Sequence, residues 1–211
     1  MGISDRLASL HAHVYPFVYS PIMAVADRVW FDSHRAYLAR GLSGNVLDIG
    51  AGTGHMLQYL VSDDTTVHAI DIDRRMLTKT EHQRERIERV QGDGQHLPYD
   101  DGTFDYVIAS LVLCTVTDQR KTLDEVARVL KPDGELRVFE HVRAGGIRGY
   151  LQRCVAPTWY QLTHGCHLER DTSNQLMTHQ LFDEIELVTL HIGIWPVRPF
   201  IRGRFQRREP P

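Results

Sequence analysis

The residues best suited to binding chemistry are three glycines, Gly50, Gly52 and Gly54, which follow the apolar run 46–49 at every second position. Glycine is needed where the backbone turns tightly or where a ligand approaches the main chain, because a Cβ would clash there or forbid a positive φ. A strand that enters such a turn and then opens a helix presents free N–H groups to the crevice at its carboxyl end. The spacing therefore predicts a ligand site in that crevice.

The spacing of the glycines also separates cofactor classes. A dinucleotide fingerprint places its third Gly or Ala three positions after Gly52, and that position is His55. The G-x-G-x-G pattern favours S-adenosylmethionine (SAM), which has no pyrophosphate to cradle, over a nicotinamide dinucleotide. A structural turn without a ligand is the plain alternative.

Two acids follow at later strand ends. Asp71 closes the second apolar run, where a carboxylate can accept hydrogen bonds from both ribose hydroxyls of an adenosine. Asp93, followed by Gly94, comes just after a third short strand, where an acid can accept from the adenine amino group. The alternatives are a solvated acid or a helix N-cap for Asp71, although Asp73 is the better N-cap candidate, and a polar turn at Asp93.

The glycines and the two acids can form one site only if the ends of their strands lie side by side. The pattern of the chain from Asn45 onward predicts such an arrangement. Short apolar runs alternate there with helical patterns, which is typical of βα units. We predict an α/β fold with a doubly wound, mostly parallel, Rossmann-like seven-stranded sheet and a C-terminal antiparallel hairpin. The predicted strands are 46–49, 66–70, 89–91, 104–110, 135–139, 186–192 and 194–205, and the predicted helices are 54–60, 74–89, 121–130 and 150–162.

The segment before residue 44 has a different character. Aromatic residues such as Tyr15 and Trp30 mix with apolar ones, and Pro16 and Pro21 break the stretch before a helical pattern over about 24–40. We therefore predict a helical lid or flank over residues 1–43 and a single catalytic domain over residues 44–211.

Composition excludes several classes of protein. Lys and Arg number 24 against 27 Asp and Glu, a net charge of −3, which argues against a nucleic-acid partner. Cys114, Cys154 and Cys166 are widely spaced without a CxxC pair, so neither a disulfide framework nor a metal site is predicted, and a reducing cytoplasm is the expected setting. No run approaches eighteen apolar residues, so we predict no transmembrane segment.

Together these residues resemble the class I SAM-dependent methyltransferases (methyltransferase type 11) over about residues 45–142. The stretch L-P-Y-D-D-G-T-F-D at 97–105 and L-K-P-D-G at 130–134 are similar to that family as well, although Asp133 stands where the family more often has glycine. The resemblance implies an enzyme that transfers the SAM methyl group to a small-molecule acceptor and leaves S-adenosylhomocysteine. The cofactor residues it implies are Asp48, Gly50, Gly52 and Gly54 at the methionine end, Asp71 at the ribose, Asp93 and Gly94 at the adenine, and Ser110 at the end of the fourth strand.

A narrower resemblance extends past this core. The segments 110–116, 139–142, 157–159, 165–170 and 195–203 are similar to the methyltransferase-like seven, or alkyl-thiol methyltransferase, family. This similarity implies a small thiol as methyl acceptor. Those animal proteins begin with a hydrophobic membrane anchor that this sequence does not show, so at most peripheral membrane contact is expected.

Four side chains are the catalytic candidates. His141, just past the fifth strand, lies near the predicted crevice, and His164 and His167 lie in the segment expected to cover it. A nearby histidine could accept the proton of a thiol, whose free pKa is about 8.5. Glu140 could orient the acceptor or a lid hydrogen bond. The alternative for each histidine is a structural role, and Cys114 is expected to be a small core residue.

Other functions stay open at the level of the sequence. O-, N- or C-methylation of a metabolite or lipid head group is the nearest alternative to S-methylation. A catalytically silent SAM-binding module and a nicotinamide-dependent oxidoreductase are the two others, and His55 argues against the oxidoreductase. The sequence does not indicate an oligomeric state.

Overall fold

One seven-stranded sheet organises the molecule. The structure is a computed structural model and describes residues 17, 20–78, 87–163 and 165–208. The sheet has the order β3-β2-β1-β4-β5-β7-β6; the first five strands pair in parallel, and β7 runs antiparallel to both β5 and β6. The predicted fold is therefore confirmed. The strands are β1 (Gly44–Ile49), β2 (Thr65–Asp71), β3 (Ile87–Gln91), β4 (Phe104–Ser110), β5 (Leu130–His141), β6 (Phe182–Leu190) and β7 (Phe200–Arg207).

The helices lie between these strands and before the first of them. Helical residues 20–26 continue into a π-helical turn, Asp27–Phe31, and then into α1. Aspartates cap several helices: Asp73, Asp118 and Asp171 each accept a hydrogen bond from a main-chain N–H in the first turn of the helix that follows. The helices are α1 (Asp32–Leu38), α2 (Leu57–Leu60), α3 (Arg74–Leu77), α4 (Gln119–Val129), α5 (Gly146–Leu162) and α6 (Thr172–Met177).

The two faces of the sheet bury separate apolar clusters, because successive strand side chains point to opposite faces. Leu47 and Val107 pack on one face with Val126 of α4. Val46 and Ile108 pack on the other face, where the segment before β1 also contributes Phe31 and Leu38. The described part of the N-terminal segment is thus packed on the sheet, and its function as a lid stays a prediction.

The strand order reverses at β1, which lies between β2 and β4. In such sheets the crevice for a ligand opens at the carboxyl ends of the strands where the order reverses. The ends of β1 and β4 therefore mark the site, and they are the positions from which the glycine turn and Ser110 project.

Several predicted boundaries are wrong. The charged pattern over 74–89 predicts a helix, but the chain is already strand at Ile87, which pairs with Val67 and is buried; tertiary pairing outweighs the local pattern there. The last two strands begin at Phe182 and Phe200, not at 186 and 194. Pro196 and Pro199 lie within the range predicted for the final strand, and proline cannot donate to a ladder. Helix α6 was not predicted.

Candidate cofactor and acceptor site

The glycine turn after β1 has the geometry that its sequence predicts. Gly50, Gly52 and Gly54 have φ values of +63°, +56° and +84°, in the left-handed region. A Cβ on Gly50 would lie 2.2 Å from Cγ2 of Val112, so only glycine fits beside that side chain. A Cβ on Gly52 would meet nothing closer than Cε of Met76 at 3.6 Å. The turn therefore packs on one side and leaves main chain accessible on the other.

Asp71, at the end of β2, is bonded to this turn. Its Oδ2 accepts a hydrogen bond from the main-chain N–H of Gly52 at 2.9 Å, and its Oδ1 accepts one from the N–H of Asp73 at 2.8 Å. Burial raises the pKa of Asp71, although the hydrogen bonds from these two donors act to lower it. Each carboxylate oxygen keeps capacity for another donor, which is what the two ribose hydroxyls of an adenosine require.

Asp48 lies at the base of the turn and is 1% exposed. Its Oδ2 has no hydrogen-bond partner among the described residues. Burial raises the pKa of Asp48 to about 8, the positive charge of Arg35 opposes that rise, and the charge of Asp71 adds to it. A buried carboxylate oxygen without a hydrogen-bond partner suits a cationic ligand group, and the ammonium at the methionine end of SAM is such a group. These residues therefore fit the predicted cofactor.

A buried ion-pair network that the sequence analysis missed lies beside Asp48. Arg35 of α1 donates from Nε to Asp27 Oδ1 at 2.7 Å and from Nη1 to Ser110 Oγ at 3.1 Å. His55 Nδ1 lies 2.6 Å from the other oxygen of Asp27. The effects of His55 and Arg35 outweigh the burial that would raise the pKa of Asp27, so this pKa lies below its usual value.

The network could have been found from the sequence. Arg35 stands between Phe31 and Leu38 on the apolar stripe of a helix, where a charged residue signals a buried partner. Ser110, implied as a cofactor residue by resemblance, is 9% exposed and bound to that arginine.

The turn after β3 holds Asp93 and Gly94. Asp93 Oδ1 accepts from the main-chain N–H of Gln95 at 2.9 Å, and the turn is joined to β2 because Gly92 N–H donates to the Asp71 carbonyl at 3.0 Å. A Cβ on Gly94 would make ordinary contact with Thr122 at 3.5 Å. These contacts are compatible with an adenine site and with a polar turn, so the adenine role stays a prediction.

Glu140, near the end of β5, is fully buried and fastens the loop that follows β4. Its Oε1 accepts hydrogen bonds from the main-chain N–H groups of Val112 and Leu113, both at 2.7 Å. Burial raises the pKa of Glu140 to about 7, although the hydrogen bonds from these donors act to lower it. Leu111 enters the same loop with a φ of +61°, which is uncommon for a side chain other than glycine. Glu140 therefore positions the loop above the end of β4.

A cluster of two cysteines and a histidine lies at the carboxyl ends of β4 and β5. His141 Nε2 lies 2.9 Å from Sγ of Cys166, and Trp159 Nε1 donates to the same sulfur at 3.3 Å. Cys114 completes the cluster, and the ligand-type atoms of the three residues all lie within 4.8 Å of one another. Hydrogen bonds from Cys114 and His141 hold the pKa of Cys166 below its usual value. We call these three residues the Cys-His-Cys cluster.

The remaining catalytic candidates differ in placement. His164 lies outside the described residues. The ring of His167 lies 4.8 Å from the ring of Tyr160, and the main-chain N–H of His167 donates to the carbonyl of Cys114 at 2.9 Å. His167 therefore joins the cluster through its backbone, while Glu140 and His141 reach it from the strand end.

Comparison with known proteins agrees with this geometry. A family described as "Methyltransferase domain" matches residues 47–138. The chain is 36% identical over 178 residues to the thiol S-methyltransferase TMT1B of Rattus norvegicus, covering 78% of this chain and 72% of that protein. It is 35% identical over 148 residues to the demethylmenaquinone methyltransferase of Clavibacter sepedonicus, covering 64% and 59% of the two chains.

Solved structures share the fold. A SAM-dependent methyltransferase from Thermotoga maritima superposes with a TM-score of 0.71 at 18% identity, covering 93% of this chain and 99% of that one. An S-adenosylmethionine-dependent methyltransferase from Mesorhizobium loti gives a TM-score of 0.66 at 20% identity, covering 84% of this chain and 97% of that one.

Within the described part of the chain, none of the helices combines the length and apolar character needed to cross a membrane. The chain therefore belongs to the class I SAM-dependent methyltransferases, in the family that includes the mammalian thiol S-methyltransferases.

Proposed function

We propose that this enzyme methylates the sulfur of a small thiol. The observation that carries the proposal is the 36% identity to a thiol S-methyltransferase over 78% of the chain. When bound, SAM supplies a methyl group on a sulfonium: the acceptor sulfur forms a new S–C bond while the old one breaks and the thiol proton is released, leaving S-adenosylhomocysteine and a methyl thioether.

The chain's own contribution to SAM binding is proposed to follow the contacts described above. Asp48 and the glycine turn hold the methionine end, and Asp71 accepts from the ribose hydroxyls. Asp93 and Gly94 contact the adenine. Ser110 contributes at the end of β4, where Arg35 fixes its hydroxyl. These assignments are supported by the unpartnered Oδ2 of Asp48 and by the open side of Gly52.

For the acceptor, the proposed residues are those at the ends of β4 and β5. Much of the catalysis of an in-line displacement comes from holding the nucleophile about 3 Å from the methyl carbon and excluding water. Glu140 is a positioning residue, since its Oε1 accepts from two main-chain N–H groups of the loop. His141 acts together with Cys166, and His164 and His167 belong to the segment proposed to cover the acceptor.

C-methylation is the second candidate function, because the chain is also 35% identical to a demethylmenaquinone methyltransferase. That similarity covers a smaller share of the chain, 64% against 78% for the thiol enzyme. The O- and N-methylation of metabolites or lipid head groups complete the alternatives to be assayed.

The setting and partners of the enzyme are also proposals. Three cysteines without a disulfide support a reducing cytoplasm, and the net charge of −3 supports a small molecule over a nucleic acid as partner. The lid role of the N-terminal segment is supported by Arg35, which connects that segment to the site. Peripheral membrane contact stays a prediction; the exposed side chains of Ile22, Val25 and Val29 are an apolar surface that could make it.

The test is a product assay with methyl-labelled SAM across small thiols, phenols, amines, quinol precursors and lipid head groups. We expect labelled thioethers from thiols and much less product from the other classes. Turnover confined to acceptors without a thiol would refute S-methylation. Calorimetric binding of SAM with no turnover on any class would indicate a silent binding module instead.

A further inference from the structure

We propose that Cys114, His141 and Cys166 form a binding site for a zinc ion. The three residues come from three separate segments: the loop after β4, the end of β5 and the loop after α5. Thiolates and imidazole are the ligands that zinc prefers, and two sulfurs with one nitrogen make a set used in catalytic zinc sites. The sequence spacing argues against a zinc site because these ligands are far apart in the chain, but the fold brings them together.

The distances within the cluster suit a tetrahedral ion. Zinc–sulfur bonds of about 2.3 Å and zinc–nitrogen bonds of about 2.0–2.1 Å place neighbouring ligand atoms about 3.6–3.8 Å apart. In the structure the His141–Cys166 pair is at 2.9 Å, and all the ligand-type atoms lie within 4.8 Å of one another. The His141–Cys166 pair would have to open by about 0.7 Å to reach the tetrahedral value, a movement that side-chain rotation can supply.

The backbone that carries these ligands is fastened independently of the cluster itself. Glu140 holds the main chain of Val112 and Leu113, just before Cys114. The N–H of His167 donates to the Cys114 carbonyl at 2.9 Å, and Arg170 Nη1 donates to the Leu113 carbonyl at 2.7 Å. A ligand set supported in this way is held in place before a metal binds, which is typical of metal sites with ordered surroundings.

The polar atoms around the cluster are compatible with the outer contacts of a metal site. His141 is 4% exposed, and its Nδ1 has no hydrogen-bond partner among the described residues. Because Nε2 is the ring nitrogen that faces Cys166, Nδ1 lies on the far side of the ring, where a metal-bound histidine would donate its N–H to a water or another outer partner. Trp159 donates to Cys166 Sγ, the kind of outer contact that stabilises a metal-bound thiolate.

Three protein ligands leave one tetrahedral position for a ligand from outside the cluster. This part of the inference rests on the proposed function: the sulfur of the acceptor thiol is the natural fourth ligand. On binding, the thiol would release its proton to solvent and remain as a thiolate, which is the form that forms the new S–C bond. The cluster lies at the ends of β4 and β5, where the acceptor is proposed to bind.

The experiment uses the full-length protein, reduced and freed of metal, titrated with Co²⁺ as a spectroscopic substitute for zinc. We expect saturable thiolate charge-transfer bands and the intense visible bands of tetrahedral cobalt, both displaced by Zn²⁺. Protein purified without chelators should contain stoichiometric zinc. Cys114→Ser and Cys166→Ser should each lower Co²⁺ affinity by more than about 100-fold, the upper range for losing a supporting partner.

The matched control is Cys154→Ser, because Cys154 is the third cysteine and is exposed on α5. Its cobalt spectrum should equal that of the wild type. The site is refuted if the wild type gives no tetrahedral bands, if Cys166→Ser keeps them, or if Cys154→Ser loses them. Should a variant fail to fold, the wild type alone decides: Zn²⁺ must protect Cys114 and Cys166, and not Cys154, from alkylation as read by mass spectrometry.

Two further readouts separate this inference from the proposed function. Addition of a thiol substrate should shift the cobalt bands if its sulfur takes the fourth position, and an unchanged spectrum refutes that position. Thiol methylation that persists fully in metal-free protein would overturn a catalytic contribution of the ion while leaving S-methylation intact. Absence of any thiol turnover alongside normal cobalt bands would refute the proposed function and leave the metal site standing.

Discussion

The two halves of the site are built in different ways. The proposed cofactor half, at the ends of β1 and β2, is built on the glycine turn, which the N–H of Gly52 joins to the carboxylate of Asp71. The proposed acceptor half, at the ends of β4 and β5, joins Cys114, His141 and Cys166 from distant segments through side chains. The glycine spacing of the first half can be recognised in the sequence. The residues of the second half are seen to be neighbours only once the fold is known.

The largest expected effect tests whether the N-terminal segment belongs to the cofactor half. Arg35→Met removes one of the two partners of a buried carboxylate, Asp27, and the donor to Ser110. We expect the free energy of unfolding to fall by about 3–5 kcal/mol, the range for breaking one side of a buried ion pair. Urea denaturation measures this. The matched change Arg28→Met, at an exposed position of the same segment, should alter stability little, and an equal loss in both variants would contradict the buried network.

The next effect tests the loop of the acceptor half. Glu140→Ala leaves the N–H groups of Val112 and Leu113 without their acceptor in a buried place. We expect a loss of about 2–4 kcal/mol of stability, the lower part of the range of about 2–6 kcal/mol that two stranded donors at about 1–3 kcal/mol each would give. Glu140→Gln keeps an acceptor oxygen and should lose less. In both variants methyl transfer should fall more than SAM affinity. A loss confined to SAM affinity would contradict the assignment of Glu140 to the acceptor half.

A smaller effect tests the cofactor half by itself. Asp71→Ala should weaken SAM binding by about 1–3 kcal/mol, because the ribose hydroxyls and the Gly52 N–H lose their acceptor. Isothermal calorimetry gives the value. Asp73→Ala is the control: its carboxylate caps α3, so it should cost helix stability and leave SAM affinity nearly unchanged. Unchanged affinity in the Asp71 variant would remove the ribose role.

The last effect is a pH dependence of stability. The pKa of Asp48 in the folded protein is about 8, above its ordinary value of 3.8, so folding favours the protonated form. Its contribution to stability is therefore present at low pH and is lost as pH rises from about 4 towards 8, by at most about 1.4 kcal/mol per pH unit.

The Asp48→Asn variant has no titrating group at this position, so its stability does not fall with pH for this reason. Its stability relative to the wild type should grow between about pH 5 and pH 8 and then level off, as measured by thermal unfolding of the SAM-free protein across buffers. A difference between the two proteins that stays constant over that range would show that Asp48 is not held protonated by burial.

The sequence predicted the parts of the molecule whose signal is local. The glycine turn, the acid that ends β2 and the strands β1, β2 and β4 each depend on a few consecutive residues, and each is where it was predicted. The start of β3 was predicted wrongly because its charged residues favour a helix until pairing with β2 is included. The Cys-His-Cys cluster could not be predicted, since nothing in the spacing of Cys114 and Cys166 indicates that both approach His141.

Val112 belongs to both halves. Its side chain occupies the space that a Cβ on Gly50 would fill, while its main-chain N–H is bonded to Glu140. A ligand that shifts the glycine turn must therefore also shift the loop leading to Cys114, and the reverse holds. Binding of SAM and of the acceptor should consequently be thermodynamically coupled, each changing the affinity of the other by the same factor.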